Sequence, residues 1–311
     1  MPLKVGVIGV GAMGKHHARV YSELPEVELV GVADIDEEAV RKVGKEYRTQ
    51  PFTDYQKLLD ENLDAVSVCV PTSFHKKISL EVIRSGTNLL VEKPIAATVS
   101  EALEIIGNAK KKKLVLQVGH IERFNPVVGV IKEAMGRDKV ISIDIIRVGP
   151  HPPRVKDVGV VVDIGTHDID LIRYLSGSDF EEIHAVVASP KNRFEDAAVL
   201  SFKLKNGTIA SVVTNRLTPF KIREIKVATP TKLIYGNLLT QQVLEYGSYT
   251  ADYESYEVRH HYVPFAEPLK LELESFINTI RNNQQPKVTG EDGLRALEVA
   301  LECLKKNRWS R

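Results

Sequence analysis

A glycine-rich segment near the N-terminus has the spacing of a phosphate-binding turn. The six residues are Gly9, Val10, Gly11, Ala12, Met13 and Gly14, and they directly follow the apolar run Leu3–Ile8. Gly9 allows a tight turn, Gly11 lets the backbone approach a pyrophosphate, and Gly14 lets the next helix lie close to the strand. Because the N-terminus of that helix also presents unpaired N–H groups, these six residues predict a dinucleotide site.

An aspartate lies where such a site contacts the adenine ribose. Asp34 ends the second apolar run, twenty residues after Gly14, and a carboxylate there bonds both ribose hydroxyls. It would repel a 2′-phosphate, so the sequence predicts NAD as the cofactor rather than NADP. The alternative is an ordinary turn in which Asp34 caps the next helix, although Asp36 is better placed to do so. Residues at later strand ends complete the predicted cofactor site: Val70, Pro71, Thr72, His75, Glu92 and Lys93.

Two polar segments have residue types that suit acid–base chemistry. The first is Glu92-Lys93-Pro94, which closes an apolar run. The second begins at Asp163, and if it is helical, four polar side chains share one stripe along it: Asp163, His167, Asp170 and Tyr174. The alternative makes His167 a hydrogen-bonded interior histidine and Asp163 a helix cap.

These residue types suit the oxidation of a secondary alcohol. The O–H proton must leave while hydride departs from the same carbon, so a base and a positive charge must meet at one oxygen. His167 suits the base because a neutral imidazole titrates near neutral pH, and Asp163 would orient the ring or stabilise its cation. Lys93 would supply the positive charge or relay the proton, and the sequence leaves open whether Lys93 or His167 accepts it. This chemistry needs no metal, and no cluster in the sequence has zinc-ligand spacing.

The first part of the chain alternates short apolar runs with amphipathic stretches, as βαβ units do. Five runs predict strands: Leu3–Ile8, Val27–Ala33, Ala65–Val70, Leu89–Val91 and Leu114–Val118. Runs that are apolar on both faces fit parallel strands covered by helices, and right-handed crossovers then give a doubly wound sheet. The sequence therefore predicts an α/β Rossmann domain over residues 1–121.

The pattern changes beyond Gly119, where strand follows strand at turn spacing. Further strands are predicted over Val140–Val148, Ile183–Ala188, Ala197–Leu204, Thr208–Thr214, Ile222–Ala228 and Lys232–Tyr235. Asn206-Gly207 marks a hairpin turn between two of them. Helices are predicted over Pro126–Met135, Pro268–Arg281 and Glu291–Lys306, the last capped by Thr289. Residues 122–311 are therefore expected to form an α+β domain, built on a largely antiparallel open sheet, that binds substrate and joins subunits.

Composition excludes several classes of protein. The 311 residues are 43% hydrophobic, enough for two packed domains, and 42 Lys and Arg balance 41 Asp and Glu. Without a basic excess, nucleic acid and anionic membranes are not expected partners, and no apolar stretch approaches the roughly 18 residues of a membrane span. There is no signal-peptide pattern, and Cys69 and Cys303 do not suit a disulfide framework, so the expected location is a reducing cytoplasm.

Together the motifs resemble those of one enzyme family. The GxGxxG segment, Glu92-Lys93-Pro94 and Asp163-x-Gly165-x-His167-x-x-Asp170 are similar to motifs of the glucose-fructose oxidoreductase, inositol dehydrogenase and MocA family, and the likeness covers essentially the whole chain. In that family the corresponding lysine, aspartate and histidine surround the hydroxyl being oxidised, which implies a catalytic role for Lys93, Asp163 and His167. The resemblance also implies NAD-dependent sugar oxidation by a homodimer or homotetramer.

Two further segments narrow the expected substrate. Gly119–Pro126 and Pro150–Gly159 resemble the subgroup of UDP-N-acetylglucosamine 3-dehydrogenases, which implies oxidation at C3 of that UDP-sugar or a related one. A nucleotide sugar carries a diphosphate, for which Arg123, Arg154 and Lys156 are candidate partners. The alternative for Arg154 and Lys156 is a surface loop without a ligand. The predicted substrate-binding residues are thus Lys93, His120, Arg123, Arg154, Lys156, Asp163 and His167.

Two other functions compete with this interpretation. A dehydrogenase of a free polyol or monosaccharide, such as an inositol, would use the same fold and the same catalytic residues. A non-catalytic nicotinamide-binding regulator would keep the glycine-rich turn but would have no need of an aligned lysine, aspartate and histidine. The presence of Lys93, Asp163 and His167 therefore argues against the regulator.

Overall fold

The computed structural model describes residues 1–151, 158–189, 194–248 and 255–306, so Arg154 and Lys156 lie outside the described residues. In the first part strands and helices alternate: β1 (Leu3–Ile8), α1 (Gly14–Glu23), β2 (Val27–Ala33), α2 (Glu37–Glu46), β3 (Gln50–Phe52), α3 (Tyr55–Leu59), β4 (Ala65–Val68), α4 (Thr72–Arg84), β5 (Asn88–Glu92), α5 (Val99–Lys111) and β6 (Leu116–Gly119). The order then continues with α6 (Pro126–Met135), β7 (Ser142–Pro150), α7 (Thr166–Ser176), β8 (Phe180–Ala188), β9 (Ala197–Leu204), β10 (Ile209–Asn215), β11 (Leu217–Ala228), β12 (Lys232–Asn237), β13 (Gln242–Gly247), β14 (Glu257–His261), α8 (Pro268–Arg281) and α9 (Gly290–Lys306). A 3₁₀ turn, Ile121–Phe124, precedes α6, and a π-helical turn, Val161–Gly165, runs directly into α7.

By its internal contacts the chain divides into two units. Unit 1 comprises Met1–Ile121 and Glu267–Leu294, and unit 2 comprises the described residues within 122–266 and 295–306. The sequence-based division gave the whole of 122–311 to the second domain, whereas Glu267–Leu294 packs with unit 1. The reason is α8, which buries Leu273 and Phe276 in the core of unit 1. Hydrophobic periodicity predicts such a helix but not the core that it joins.

The sheet of unit 1 has six parallel strands in the order β3-β2-β1-β4-β5-β6. Its central strands are buried on both faces, as shown by the fully buried side chains of Val5, Val7 and Val66. Strands of that kind require helices on both faces, which the alternating helices supply. The order reverses between β1 and β4, and ligands of such sheets bind at the carboxyl ends of the strands there. The predicted doubly wound α/β architecture is confirmed.

The sheet of unit 2 has eight strands in the order β14-β13-β12-β11-β7-β10-β9-β8. All neighbours are antiparallel except β7 and β10, which run parallel. The predicted Asn206-Gly207 turn joins β9 to β10, with Gly207 at φ 87° and the Thr208 N–H donating to Asn206 Oδ1 at 3.1 Å. Strands β10 and β11 are consecutive in the chain, yet β7 lies between them in the sheet. The predicted, largely antiparallel sheet of an α+β domain is confirmed.

Buried and exposed side chains alternate along the strands of unit 2. On β9 the side chains of Leu200 and Phe202 are buried while that of Val199 is exposed, which is the pattern of a sheet covered on one face. The covered face packs in one core with apolar side chains of α6 and α7, among them Ile131 and Ile169. Within the part of the chain that the structure describes, no helix has the length and apolar character needed to cross a membrane.

Candidate active site

The glycine-rich turn lies between β1 and α1. Gly9 has φ 89°, and a Cβ atom there would lie 2.7 Å from the backbone oxygen of Cys69. A Cβ atom at Gly14 would overlap the carbonyl oxygen of Gly9, so this glycine lets the helix approach the strand. A Cβ atom at Gly11 would meet nothing within 4 Å. The fold thus requires Gly9 and Gly14, whereas Gly11 borders open space in which the pyrophosphate of a dinucleotide fits.

Asp34 lies directly beside this turn, at the end of β2. Its Oδ2 accepts the N–H of Val10 at 2.7 Å, and its Oδ1 accepts the N–H of Asp36 at 3.0 Å. The cap of α2 is Asp36, whose carboxylate accepts the Ala39 N–H at 3.0 Å, as predicted. The carboxylate of Asp34 is therefore held next to the turn without capping α2. Backbone amides for a pyrophosphate and a carboxylate for a ribose together fit a dinucleotide.

Lys93 follows β5, and the carboxylate of Glu92 holds its backbone. Glu92 Oε1 lies 3.1 Å from His17 Nε2, and Glu92 Oε2 accepts the Lys93 N–H at 3.2 Å. Burial acts to raise the pKa of Glu92, but the hydrogen bond and charge of His17, together with the charge of Lys93, hold that pKa below its ordinary value. Glu92 is thus a buried carboxylate that supports the backbone of Lys93, and its predicted contact with the cofactor stays a prediction.

His75 also supports this segment instead of facing a ligand. Its Nδ1 lies 2.8 Å from the carbonyl oxygen of Pro94, and its Nε2 lies 2.9 Å from that of Val70. The residue is 1% exposed, and this burial lowers its pKa although both carbonyls act to raise it. The sequence predicts that His75 contacts the cofactor. In the structure both of its ring nitrogens lie at hydrogen-bonding distance from backbone carbonyl oxygens. His75 links the segment that follows β4 to the segment that carries Lys93.

Three potential metal donors come together behind the turn, although they are far apart in sequence. Atoms of His17, Cys69 and Glu92 lie within 4.8 Å of one another. Burial, reinforced by the charges of Glu92 and Glu272, raises the pKa of the Cys69 thiol well above its ordinary value. The thiolate and not the thiol is the metal ligand, so this donor set fits a hydrogen-bonded support better than a metal site.

Asp163 and His167 lie on one continuous helical segment, as predicted. Asp163 belongs to the π-helical turn and His167 to the first turn of α7. Both residues are partly exposed, while their neighbours Val162 and Asp168 are buried. A π turn holds one more residue than an α turn, and such turns are frequent at functional sites. The two side chains therefore reach the surface of unit 2 from a distorted stretch of helix.

The other two residues of the predicted polar stripe have a different role. Asp170 is 2% exposed and binds Arg123 through both oxygens, with Arg123 Nε at 2.7 Å from Oδ2 and Nη2 at 2.5 Å from Oδ1. The guanidinium also lies over the ring of Tyr174, 5.0 Å from its centroid. Arg123, which the sequence assigned to a diphosphate, is thus a buried ion-pair partner on the 3₁₀ turn. Asp170 and Tyr174 hold Arg123 rather than a substrate.

A second buried ion network holds α7 to the sheet of unit 2. Arg147 on β7 donates from Nε to Asp168 at 2.6 Å and from Nη1 to Glu122 at 2.7 Å, and Arg223 on β11 donates to Glu122 at 3.1 Å. Burial acts to raise the pKa of Glu122, but Arg147 and Arg223 keep it below its ordinary value. Burial outweighs Arg147 at Asp168 and raises its pKa to about 6. No motif marks this network, because its members come from distant parts of the sequence.

The remaining predicted site residues that the structure describes are characterised by their burial and position. His120 follows β6 and is 1% exposed, so it lies inside the protein. Val70 and Thr72 are partly exposed and Pro71 is exposed, at the end of β4 where a Rossmann cofactor would pass. Arg154 and Lys156 belong to the stretch that the structure does not describe.

Comparison with known proteins agrees with the architecture. Residues 3–120 match the model of the GFO_IDH_MocA oxidoreductase family, NAD-binding Rossmann fold, and residues 138–234 match the GFO/IDH/MocA C-terminal domain. The chain is 30% identical to UDP-N-acetylglucosamine 3-dehydrogenase of Acidithiobacillus ferrooxidans over 96% of each protein. It is 24% identical to myo-inositol 2-dehydrogenase of Thermotoga maritima, over 97% of this chain and 96% of that protein.

Solved structures agree as well. The structure of the Acidithiobacillus ferrooxidans enzyme has a TM-score of 0.91 at 29% identity and covers 98% of both chains. Levoglucosan dehydrogenase in complex with NADH has a TM-score of 0.88 at 19% identity, which shows a common fold. The chain belongs to the GFO/IDH/MocA family of NAD-binding oxidoreductases.

Proposed function

We propose that this chain is an NAD-dependent dehydrogenase that oxidises the C3 hydroxyl of UDP-N-acetylglucosamine or a related UDP-sugar. The observation that carries the proposal is the 30% identity with UDP-N-acetylglucosamine 3-dehydrogenase of Acidithiobacillus ferrooxidans over 96% of each protein. The TM-score of 0.91 with its structure supports the same assignment. The segments Gly119–Pro126 and Pro150–Gly159, which resemble that subgroup, support it further.

In this proposal the glycine-rich turn and Asp34 hold the dinucleotide. NAD, when bound, accepts the hydride from the substrate carbon. The Gly9 and Val10 amides already bond to Ala33 and Asp34, so later amides of the glycine-rich turn would bind its pyrophosphate. Asp34 would bind its adenine ribose, because the turn and Asp34 lie at the carboxyl ends of β1 and β2. The like charge of Asp34 disfavours the 2′-phosphate of NADP.

We expect Asp34→Ala to reduce the preference for NAD over NADP about tenfold or more, measured as the ratio of kcat/KM values. Equal or better activity of the unmodified protein with NADP would remove this role from Asp34.

Lys93, Asp163 and His167 would act on the hydroxyl. The ammonium group of Lys93 would stabilise the developing alkoxide, and its backbone is fixed by Glu92 at 3.2 Å. His167 would accept or pass on the proton, and Asp163 would orient its ring. The structure of unit 2 supports this division of roles, since Asp163 and His167 are partly exposed while Asp168 and Asp170 are buried in ion pairs.

We also propose a homodimer or homotetramer in the cytoplasm. Val186, Val199 and Val213 are exposed and directly opposite one another on β8, β9 and β10, and such an apolar row suits contact with a second copy. Cys69 and Cys303 are not joined in a disulfide, which suits a reducing compartment. Light scattering of the purified protein measures the number of subunits.

The decisive assay combines the protein, NAD and a panel of substrates, and follows NADH with product analysis. The panel contains UDP-N-acetylglucosamine, its hexuronic acid form, UDP-glucose and myo-inositol. Because oxidation of a sugar alcohol by NAD is uphill at neutral pH, a carbonyl trap or a coupled NADH-consuming step is included. We expect turnover of UDP-N-acetylglucosamine with a 3-keto product, and competition by UDP alone.

Substitution of Arg154 tests how the diphosphate is held. Arg154→Ala should raise KM for the UDP-sugar by about ten- to a hundredfold and change kcat little, since binding to a remote group contributes equally in ground and transition states. Lys156→Ala should act in the same direction, and Lys221→Ala, an exposed lysine on β11, is the control.

The second candidate is a free polyol, which the 24% identity with myo-inositol 2-dehydrogenase of Thermotoga maritima favours. Turnover of myo-inositol without response to any UDP-sugar, and without competition by UDP, would replace the UDP-sugar proposal by this one. Tight NAD binding without turnover of any alcohol would instead indicate a regulator.

A further inference from the structure

The first amides of the helical segment that carries Asp163 and His167 bond to a buried glutamate from another part of unit 2. The backbone oxygen of Glu195 accepts the N–H of Val160 at 2.9 Å, and its Oε1 accepts the N–H of Val161 at 3.0 Å. The first amides of a helix have no partner within the helix, and an acidic group near them is favourable. Glu195 alone therefore satisfies two of these amides, 34 residues away from Val161 in sequence.

Gly159 leaves the space that this contact needs. A Cβ atom at residue 159 would overlap the carboxylate of Glu195, on its carbon and on both oxygens. The backbone of Gly159 is not in the left-handed region, so an alanine could adopt its conformation. The absence of a side chain at Gly159 thus leaves room for the Glu195 carboxylate, whereas the backbone conformation itself does not require glycine.

The same stretch is also held on its N-terminal side. Arg216, which is 3% exposed, donates from Nη2 to the carbonyl oxygen of Val158 at 2.8 Å. Its own N–H donates to the backbone oxygen of Asp196 at 2.8 Å, so Arg216 is tied to the residue that follows Glu195. Within Val158 to Val161, Arg216 consequently holds one carbonyl group and Glu195 holds two amides. Beyond it, Asp163 donates its N–H to Gly159 at 3.0 Å.

The π-helical turn follows directly on this anchored stretch, since Val161, which Glu195 holds, is its first residue. A π turn is less favourable than an α turn and is kept where the surroundings enforce it. Asp163 lies within it, whereas His167 lies in the regular helix that follows. A change from π to α geometry would rotate Asp163 about the helix axis relative to His167.

We propose that Glu195 is a positioning residue for catalysis: its carboxylate, in the space left by Gly159, holds the π-helical turn and so sets Asp163 against His167. The inference rests on the proposed function, in which these two residues act on the substrate hydroxyl. Glu195 touches neither substrate nor cofactor in this scheme, and acts only through the helix.

Four variants test it in the full-length protein. Glu195→Ala removes the acceptor and should lower kcat about ten- to a hundredfold, since small displacements of catalytic groups have effects of this size, with KM for NAD within about twofold of the parent. Glu195→Gln keeps an oxygen for Val161 and should retain most of kcat. Gly159→Ala pushes the carboxylate away and should resemble Glu195→Ala. The double variant Gly159→Ala/Glu195→Ala should be no worse than either single one, because both changes break the same contact.

A matched control removes a cap from another helix. Thr289 caps α9 through the Asp292 N–H at 3.1 Å, as predicted, and α9 carries no proposed catalytic residue. Thr289→Ala should therefore leave kcat unchanged. Parental kcat in Gly159→Ala, or equal losses in Glu195→Gln and Glu195→Ala, would overturn the proposal. If Glu195→Ala does not fold, Gly159→Ala and Glu195→Gln decide alone.

Amide hydrogen exchange separates this inference from the proposed function. The amide of Val161, whose acceptor is the Glu195 side chain, should lose protection in Glu195→Ala and keep it in Glu195→Gln, whatever the substrate is. Unchanged protection in Glu195→Ala would overturn the capping role. If the parent oxidises only a polyol, the UDP-sugar proposal fails while the kcat ratios, measured on that polyol, still decide the role of Glu195.

Discussion

Buried acids lie close to the candidate catalytic residues in both units, but their surroundings differ. In unit 2, Asp170 meets Arg123 through both oxygens, and Glu122 meets Arg147 and Arg223. In unit 1, the hydrogen-bond partners of Glu92 among the residues that the structure describes are His17 and the backbone amide of Lys93. Neither carboxyl oxygen of Glu272, on α8, has a hydrogen-bond partner among the described residues.

The protonation of these acids follows their partners. Arginine pairs keep the pKa of Glu122 below its ordinary value, whereas burial, reinforced by Glu92, raises the pKa of Glu272 well above its ordinary value. Asp168 lies between these extremes: Arg147 binds one of its oxygens, the other has no hydrogen-bond partner within the described part of the chain, and burial raises its pKa to about 6. The comparison teaches that in unit 2 arginine charges stabilise buried carboxylates beside the helix that carries Asp163 and His167, whereas in unit 1 burial and the charge of Glu92 raise the pKa of Glu272.

The largest effects are expected at two of the proposed catalytic residues, one from each unit. Lys93→Ala and His167→Ala should each lower kcat about 10²–10⁴-fold with NAD binding retained, because a general acid–base group is worth that much. Asp163→Asn should lose less if Asp163 only orients the ring. The pH dependence of kcat/KM identifies the base, since its acid limb disappears only in the variant that lacks that base. Near-normal turnover in His167→Ala would leave Lys93 as the proton acceptor.

Breaking an arginine pair in unit 2 should be the largest effect on stability. Asp170→Asn removes the carboxylate charge from the buried ion pair with Arg123, which should cost about 3–5 kcal/mol in the free energy of unfolding. Urea denaturation measures this cost. The control is Arg41→Ala, which breaks the exposed pair with Glu37 on α2 and should cost no more than about 0.5 kcal/mol. Equal, small losses in both variants would show that the buried pair is not a support of α7.

A smaller effect of opposite sign is expected in unit 1. The folded chain keeps the Glu272 proton at pH values where the unfolded chain releases it, so this residue costs stability as pH rises above the ordinary carboxyl pKa. Glu272→Gln should therefore stabilise the protein at pH 8, on the order of 1 kcal/mol, with a gain that shrinks towards pH 5.

Glu92→Gln is the matched control for this pH dependence. The pKa of Glu92 is lowered, so its ionised form contributes stability above the ordinary carboxyl pKa that is lost as pH falls. This variant should consequently lose stability at pH 8. Thermal unfolding at the two pH values distinguishes the two cases, and a loss at pH 8 in both variants would contradict the neutral state of Glu272.

Much of the fold follows from local patterns. The strands Leu3–Ile8 and Val27–Ala33 and the helices Pro126–Met135 and Pro268–Arg281 have the predicted bounds, because their apolar periodicity is strong. The structure adds β3, β13 and β14, which the sequence did not predict. Gln50–Phe52 is only three residues long, and Glu257–His261 is almost entirely polar, so their pairing with a neighbouring strand defines them.

Only those parts of the candidate site that form a sequence motif could be predicted. The glycine turn with Asp34 depends on contacts within one βαβ unit, and its spacing is visible in the sequence. The partners of Arg123, His75 and Glu92 depend on contacts between distant segments, and a buried ion pair has the same residue types as a ligand site. Helical spacing placed Asp170 and Tyr174 beside Asp163. It could not predict the π-helical turn, or that Arg123 on a neighbouring 3₁₀ turn would pair with Asp170.

The position of β7 has a consequence for how unit 2 folds. The strands β8, β9 and β10 form one antiparallel meander and β11 to β14 form another, so each can assemble from contacts that are close in sequence. Neither meander bonds to the other, because β7 lies between β10 and β11. Joining them requires a long loop to close in parallel register, and such non-local pairing is slow. The rate-limiting step of folding in unit 2 should therefore be the insertion of β7, and substitutions in this strand should slow refolding more than equally destabilising ones in β13.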